Sequence, residues 1–156
     1  MISGGPGRRG RRQMQIKIKY KEGMKPIMRA HDGEWFDLRA AHDYCIVKGD
    51  LIKIDLGVAM ELPEGYEAII RPRSSTAERY GILMACSGVI DHRYCGDNDY
   101  WNFGALAIRT GTIKKNDRIC QFRIIREQPG NSELELTEVC RLGNEDRGGF
   151  GSTGRD

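Results

Sequence analysis

The stretch Gly88-Val89-Ile90-Asp91-His92-Arg93-Tyr94-Cys95-Gly96 organises the chain. A glycine leads into two β-branched apolar residues and then a carboxylate. A tyrosine follows three positions later, and a second glycine closes the run. Apolar residues running into a polar turn read as a strand ending in a tight hairpin. Such a hairpin holds Asp91 and Tyr94 on one short piece of backbone. A carboxylate at a strand end suits a general base that activates water. It equally suits a turn residue that bonds its own backbone. The rest of the chain must decide between them.

Upstream, Tyr66-Glu67-Ala68-Ile69-Ile70-Arg71 reads as a strand stopped by Pro72, with Arg73-Ser74-Ser75 just beyond. Ser75-Thr76-Ala77-Glu78 has the spacing of a capping box. A short helix is expected over Thr76 to Tyr80, ended by Gly81. An arginine and two hydroxyls at a helix start suit an anion as well as they suit a plain cap. Downstream, Gly104 to Arg109 is a strand of small residues, and Arg118 to Ile125 is another, carrying Gln121. A glutamine amid apolar neighbours needs a hydrogen-bond partner.

Towards the start, Gln15 to Tyr20 alternates strictly, as a half-buried strand does. Asp37 stands among apolar neighbours, as a turn residue or as a metal or structural carboxylate. Leu51 to Met60 reads as one long strand bent at Gly57. Near the end, Glu133-Leu134-Glu135-Leu136-Thr137-Glu138-Val139 alternates and is expected as the last strand. No long amphipathic helical pattern occurs. Short strands at regular spacing, divided by Gly/Pro turns, point to an all-β barrel or jelly roll.

The chain has 156 residues and a net charge of +3, enough for one domain. Arg8, Arg9, Arg11 and Arg12 supply more than that excess. Residues 1–13 form a Gly/Arg-rich leader expected to be disordered. They read as a basic arm or, with more weight, as an upstream leader, since Met14 opens the first ordered pattern. No apolar run is long enough for a membrane helix, and no signal-peptide h-region is evident. Five scattered cysteines without C-x-x-C spacing argue against zinc and a disulfide framework. The terminal Arg147-Gly148-Gly149-Phe150-Gly151-Ser152-Thr153-Gly154 combines a cation, a ring, two hydroxyls and many unencumbered N–H groups. Such a segment suits a mobile arm that folds over a phosphate chain while its ring stacks on a base.

Together these blocks resemble the trimeric dUTPase family, in its phage or prophage form. Phe36-Asp37-Leu38-Arg39-Ala40 resembles the first family motif, and Pro72-Arg73-Ser74-Ser75 the second, where Ser75 replaces the usual glycine. Gly88-Val89-Ile90-Asp91 through Tyr94 and Gly96 resembles the third. Asp117-Arg118-Ile119-Cys120-Gln121 resembles the fourth, and Arg147 to Gly154 the fifth.

The resemblance implies a jelly-roll-like β-barrel over residues 14–142, assembled as a homotrimer with sites at subunit boundaries. Residues 143–156 would be a flexible arm closing on the site. It implies hydrolysis of dUTP to dUMP and pyrophosphate with Mg²⁺, in the cytoplasm of a bacterial host if phage-encoded. Asp91 would hold the attacking water. Tyr94 would pack under the deoxyribose. Backbone groups of Ala85, Gly88, Val89 and Ile90 would read the uracil edge. Arg73, Ser74, Ser75 and Gln121 would hold the phosphates. Phe150 would stack on uracil, while Arg147, Gly151, Ser152 and Thr153 would close on the γ end. Asp37 would help position the metal through its waters.

Three rivals are weighed. A dCTP deaminase of similar fold resembles a protein with a second carboxylate on the strand after the hairpin, yet Tyr100 to Asn116 contains no Asp or Glu. A regulatory, protein-binding homologue would use Tyr100-Trp101-Asn102-Phe103 as an exposed aromatic patch. Nucleic acid, bound through the arginine-rich start, is not expected as a partner.

Overall fold

A computed structural model describes residues 14–29, 33–130 and 132–145 of the chain. Among these residues the expected all-β class holds, with eleven strands and one short helix. The first five strands are β1 (Lys17–Tyr20), β2 (Phe36–Arg39), β3 (Tyr44–Ile46), β4 (Leu51–Asp55) and β5 (Val58–Glu61). Then come β6 (Tyr66–Pro72), α1 (Thr76–Tyr80), β7 (Ile82–Met84) and β8 (Gly88–Ile90). The series ends with β9 (Asn102–Ala107), β10 (Gly111–Ile113) and β11 (Arg118–Arg126).

All pairings are antiparallel. The largest sheet has the order β2-β11-β6-β8, and a second runs β4-β9-β7. Pairs β1-β5 and β3-β10 complete the set. One apolar cluster joins them, with Leu38, Ile54, Ile70, Ile113 and Ile119 all buried. At its centre Phe122 stacks on Phe36 at 5.3 Å between ring centroids and meets Trp101 edge-on at 5.2 Å. Removing such rings from water contributes about 2–3 kcal/mol each.

Several expectations change. Leu51 to Met60 is two strands, because Gly57 takes a left-handed φ of 64° and Asp55 turns its Oδ1 onto the Gly57 N–H at 2.7 Å. The helix forms as expected and ends at Gly81, but Ser75 makes no side-chain cap. The bonded hydroxyl there is that of Thr76, which ties the helix start to its surroundings and does not cap it. Its buried hydroxyl accepts the Arg73 N–H at 2.8 Å and donates to the Ile119 carbonyl at 2.8 Å. The segment Glu133 to Val139 is not a strand. Alternation fixes which side chains share a face, but Leu134 (45% exposed) and Leu136 (100% exposed) find no sheet among the described residues to lie on. Tyr100 to Phe103 is not an exposed aromatic patch, because Trp101 and Phe103 are buried in the core.

Candidate active site

The hairpin stretch forms as a strand and a turn. β8 pairs with β6 through Gly88↔Ile70, Val89↔Ile69 and Ile90↔Ala68. Gly88 is required there by close approach, since a Cβ would lie 2.7 Å from the Ile70 Cβ. Beyond Ile90 the chain turns. Asp91 Oδ1 accepts the Arg93 N–H at 2.7 Å, and the Asp91 carbonyl accepts the Tyr94 N–H at 3.2 Å. The Asp91 carboxylate is exposed and carries this turn.

β8 is the last strand of its sheet, so the backbone groups pointing away from β6 are unpaired by the sheet. They border a cleft of ≈ 440 Å³ lined by Gly88, Val89, Ile90 and Tyr94 on one side and by Tyr100, Asn102 and Gly104 on the other. The Tyr94 hydroxyl donates to the Tyr100 carbonyl at 3.3 Å, and Asn102 Nδ2 donates to the same oxygen at 2.7 Å. Ala85 does not offer its N–H, which is spent on the Gly104 carbonyl at 2.9 Å.

The second element is a corner of arginines. Direct partners across antiparallel strands point to one side, and the pairs Asp37↔Gln121 and Gln121↔Arg71 align three polar residues across β2, β11 and β6. Asp37 is 9% exposed. Its Oδ1 forms an ion pair with Arg73 Nε at 2.8 Å, and its Oδ2 accepts from Arg118 Nη1 at 3.1 Å. Arg73 Nη1 also donates to the Arg118 carbonyl at 3.3 Å. Gln121 finds its partner in the Pro72 carbonyl at 3.2 Å.

A bulge makes this corner possible. The β2 register slips between Arg118 and Cys120, so Ile119 and Cys120 are both buried in succession. Without the extra residue Arg118 would share the buried face of Cys120. With it, Arg118 turns out beside Gln121 and reaches Asp37. Burial, together with the nearby Asp37 charge, pushes the Cys120 thiol well above its ordinary value, so that cysteine is inert.

Arg73 and Arg118 set two guanidiniums against the single carboxylate of Asp37, while Arg71 turns its Nη1 to the Ile70 carbonyl and Ser87 Oγ. The excess of guanidinium charge suits polyanions. Ser75 borders a separate shallow depression with Glu78 and Arg79. Asp91 opens into a third, polar cleft that it shares with Glu67, His92, Arg93 and Glu127. Within one chain, therefore, Gly88, Val89, Ile90 and Tyr94 line one cleft, while Asp91, Ser75 and the arginine corner border other surfaces. The positions Arg147, Phe150, Gly151, Ser152 and Thr153 lie outside the described residues.

Five motif blocks in order, the third on an edge-strand turn and the second and fourth meeting at Asp37, agree with the family model for dUTPase, which matches residues 21–154. The chain belongs to the dUTPase family. It is 56% identical over 143 residues to the SPbeta prophage-derived deoxyuridine 5'-triphosphate nucleotidohydrolase YosS of Bacillus subtilis, covering 90% of this chain and 99% of that protein. It is 31% identical to the deoxyuridine 5'-triphosphate nucleotidohydrolase of Escherichia phage T5, covering 90% and 98% respectively. The fold is that of the dUTPase of Staphylococcus bacteriophage 80alpha with dUPNHPP. That likeness has a TM-score of 0.69 at 18% identity, over 90% of this chain and 99% of that one. A mutant dUTPase from phage phi11 of S. aureus, described with a structural Mg(II) ion, aligns with a TM-score of 0.67 at 16% identity, over 82% and 98%.

Some residues at these dUTPase surfaces escaped the sequence. Lys53, Cys86, Tyr100, Asn102 and Gly104 line the cleft, and Arg71 lies in the polar row of the corner. A signal for two of them existed. Trp101 and Phe103 alternate with Tyr100 and Asn102, so burying the larger apolar pair turns the other two outward.

Proposed function

We propose that the protein hydrolyses dUTP to dUMP and pyrophosphate. The observation that carries this is the turn after β8, which sets Tyr94 in a nucleoside-sized cleft walled by an unpaired strand edge and, three residues earlier, presents the exposed carboxylate of Asp91 to a neighbouring polar cleft. Fixed backbone donors and acceptors suit the recognition of one base edge, because a base with the opposite pattern leaves buried groups unpaired. Tyr94, 39% exposed, offers its ring as a platform for the deoxyribose that leaves no room for a 2′-hydroxyl. Arg73, Ser74, Ser75 and Gln121 hold the phosphates. The arm over residues 143–156 closes on them, with Phe150 on the base and Arg147, Gly151, Ser152 and Thr153 at the γ end.

Asp91 orients a water and takes its proton. The water oxygen bonds to the α-phosphorus as the bond from that phosphorus to the α–β bridging oxygen breaks, and pyrophosphate leaves. Phosphoryl chemistry of this kind depends on alignment and charge neutralisation more than on covalent work by the protein. The residues fit a magnesium ion that arrives on the triphosphate and keeps several waters. Both Asp37 oxygens are taken by arginines. No group of three His, Cys, Asp or Glu among the described residues is placed to cage a metal. Bound with the substrate, magnesium supplies neutralising charge to the phosphate oxygens.

A homotrimer accounts for the separation of the pieces. Asp91, the cleft and the arginine corner border different surfaces of one chain, and a neighbouring copy brings complementary pieces together. Leu51↔Leu106↔Leu83 form an apolar row across β4, β9 and β7, with Leu51 78% exposed, as a subunit boundary would require. No helix among the described residues is long and apolar enough to cross a membrane. Five unpaired thiols suit a reducing host cytoplasm.

The test is incubation of the parent protein with dUTP, dTTP, dCTP or UTP plus Mg²⁺, with products identified. Only dUTP should be cleaved efficiently, at the α–β bond. Asp91→Asn should keep binding a non-hydrolysable dUTP analogue while pyrophosphate release stops. Release of ammonia from dCTP, or unchanged turnover by Asp91→Asn, would overturn the proposal.

A further inference from the structure

The Asp91 turn lies past the end of its sheet. The β8–β6 register stops at Ile90↔Ala68, and the next β6 residue, Glu67, pairs on its other side with Ile125 of β11. The two backbone-donated bonds inside the turn, from Arg93 N and Tyr94 N to Asp91, fix its shape and not its place. Among the described residues, two side-chain bonds leave the turn. One is the Tyr94 hydroxyl to the Tyr100 carbonyl, long at 3.3 Å and exposed. The other joins His92 Nδ1 to Glu127 Oε1 at 2.5 Å, with side-chain exposures of 23% and 26%.

Glu127 is itself well placed. It follows the last β11–β6 pair, Arg126↔Tyr66, and its N–H donates to the Gly65 carbonyl at 3.0 Å. Pairing with β6 thus holds β11 up to the residue before Glu127, whereas its pairing with β2 stops at Phe122. The charged groups sharing its cleft are Glu67, Asp91 and Arg93. The His92–Glu127 bond needs only a proton on Nδ1, which one neutral tautomer and the imidazolium both carry.

We propose that His92 and Glu127 are positioning residues, whose bond holds the turn so that Asp91 aims its water at the α-phosphorus. The inference rests on Asp91 being the water-orienting group. It assigns the pair no contact with substrate. Small misplacements of a catalytic group are expensive when the reaction depends on alignment, whereas loss of a surface ion pair alone changes little.

The experiment uses the full chain in its native assembly. Glu127→Ala and His92→Ala should each lower kcat about tenfold, with KM and the affinity for a non-hydrolysable dUTP analogue unchanged within about twofold. The double variant should be no worse than the poorer single one, because both remove one bond. Glu127→Gln keeps an acceptor for Nδ1–H and should retain most of the parent kcat. Parent-like kcat in Glu127→Ala, alongside an inactive Asp91→Asn, would overturn the inference and leave the proposed function standing. Equal kcat losses in Glu127→Ala and Glu127→Gln with a fall in melting temperature would also overturn it, since the pair would then be structural. An active Asp91→Asn would instead remove the reading on which the inference rests.

Discussion

The arginine corner and the Asp91 turn are built on opposite principles. The corner sits on three adjacent strands, and its central carboxylate is buried and engaged at both oxygens. The turn projects past the end of an edge strand, is exposed, and is shaped by bonds within itself. The surface suited to phosphate is thus organised before any ligand arrives. The surface suited to activating water depends on a few side-chain tethers and, in the proposed trimer, on a neighbour. Preorganised charge is most valuable where a highly charged ligand must be held. A group that works only once the ligand is aligned can stand on a lighter support.

The contrast is broken most severely at Asp37. Asp37→Ala leaves Arg73 and Arg118 without their shared acceptor. We expect kcat/KM for dUTP to fall about 100-fold, because the guanidiniums lose their fixed directions. Stability should fall by about 2 kcal/mol, less than for a fully buried pair, since the Arg118 side chain is 47% exposed. The Mg²⁺ concentration for half-maximal rate should stay the same. A large rise in that concentration would instead assign Asp37 to the metal, and an unchanged kcat/KM would show that the corner needs no anchor.

Gly88→Ala tests the other region at its root. The added Cβ meets the Ile70 Cβ, an atom rooted in the neighbouring backbone, so β8 must move away from β6. The strand edge that lines the cleft moves with it. We expect KM for dUTP to rise about tenfold and stability to fall by about 1–2 kcal/mol. Steady-state kinetics and urea unfolding would read both. This differs from the pattern expected for Glu127→Ala, where kcat falls and KM holds. If both variants altered the same parameter, the cleft and the turn would be one mechanical unit.

The two regions were not equally legible in the sequence. The turn was readable because Gly88 to Gly96 is contiguous and its bonds are local. Arg73 was readable from its motif, but its anchor was not, because the Asp37–Arg118 contact depends on a bulge between distant strands. The adjacent apolar residues Ile119 and Cys120 break the alternation of β11 and were the available hint. Strands β3 and β10 have three residues each, too few to establish a period. Glu133 to Val139 shows the opposite limit, a clean alternation without a sheet to join among the described residues. Thr76 and not Ser75 carries the bonded hydroxyl because a buried carbonyl, that of Ile119, needed a donor, and no local pattern reports such a need.

The smallest effect should come from Asp55, which links the barrel interior to the far wall of the cleft. Its carboxylate accepts from Lys21 and from the Gly57 N–H, and His42 Nε2 lies 3.6 Å away. Lys21 in turn lies over the Tyr100 ring, 4.4 Å from its centroid, and the Tyr100 carbonyl receives Tyr94. Burial pushes the Asp55 carboxyl up, but the Lys21 and Gly57 hydrogen bonds and the charges of Lys21 and His42 hold it below the ordinary value. A group with a folded value below its unfolded one contributes stability above the unfolded value, about pH 4 for Asp, and loses it as pH falls through the folded one. Asp55→Asn should therefore cost about 1 kcal/mol at pH 7. The difference from the parent should shrink steadily below about pH 4. Urea unfolding at fixed protein concentration, repeated down the pH scale, measures this directly. A difference that stays constant down to pH 3 would mean that Asp55 acts through packing and not charge. An accompanying rise in KM would mean that the far wall of the cleft, like the arginine corner, takes its order from the barrel interior.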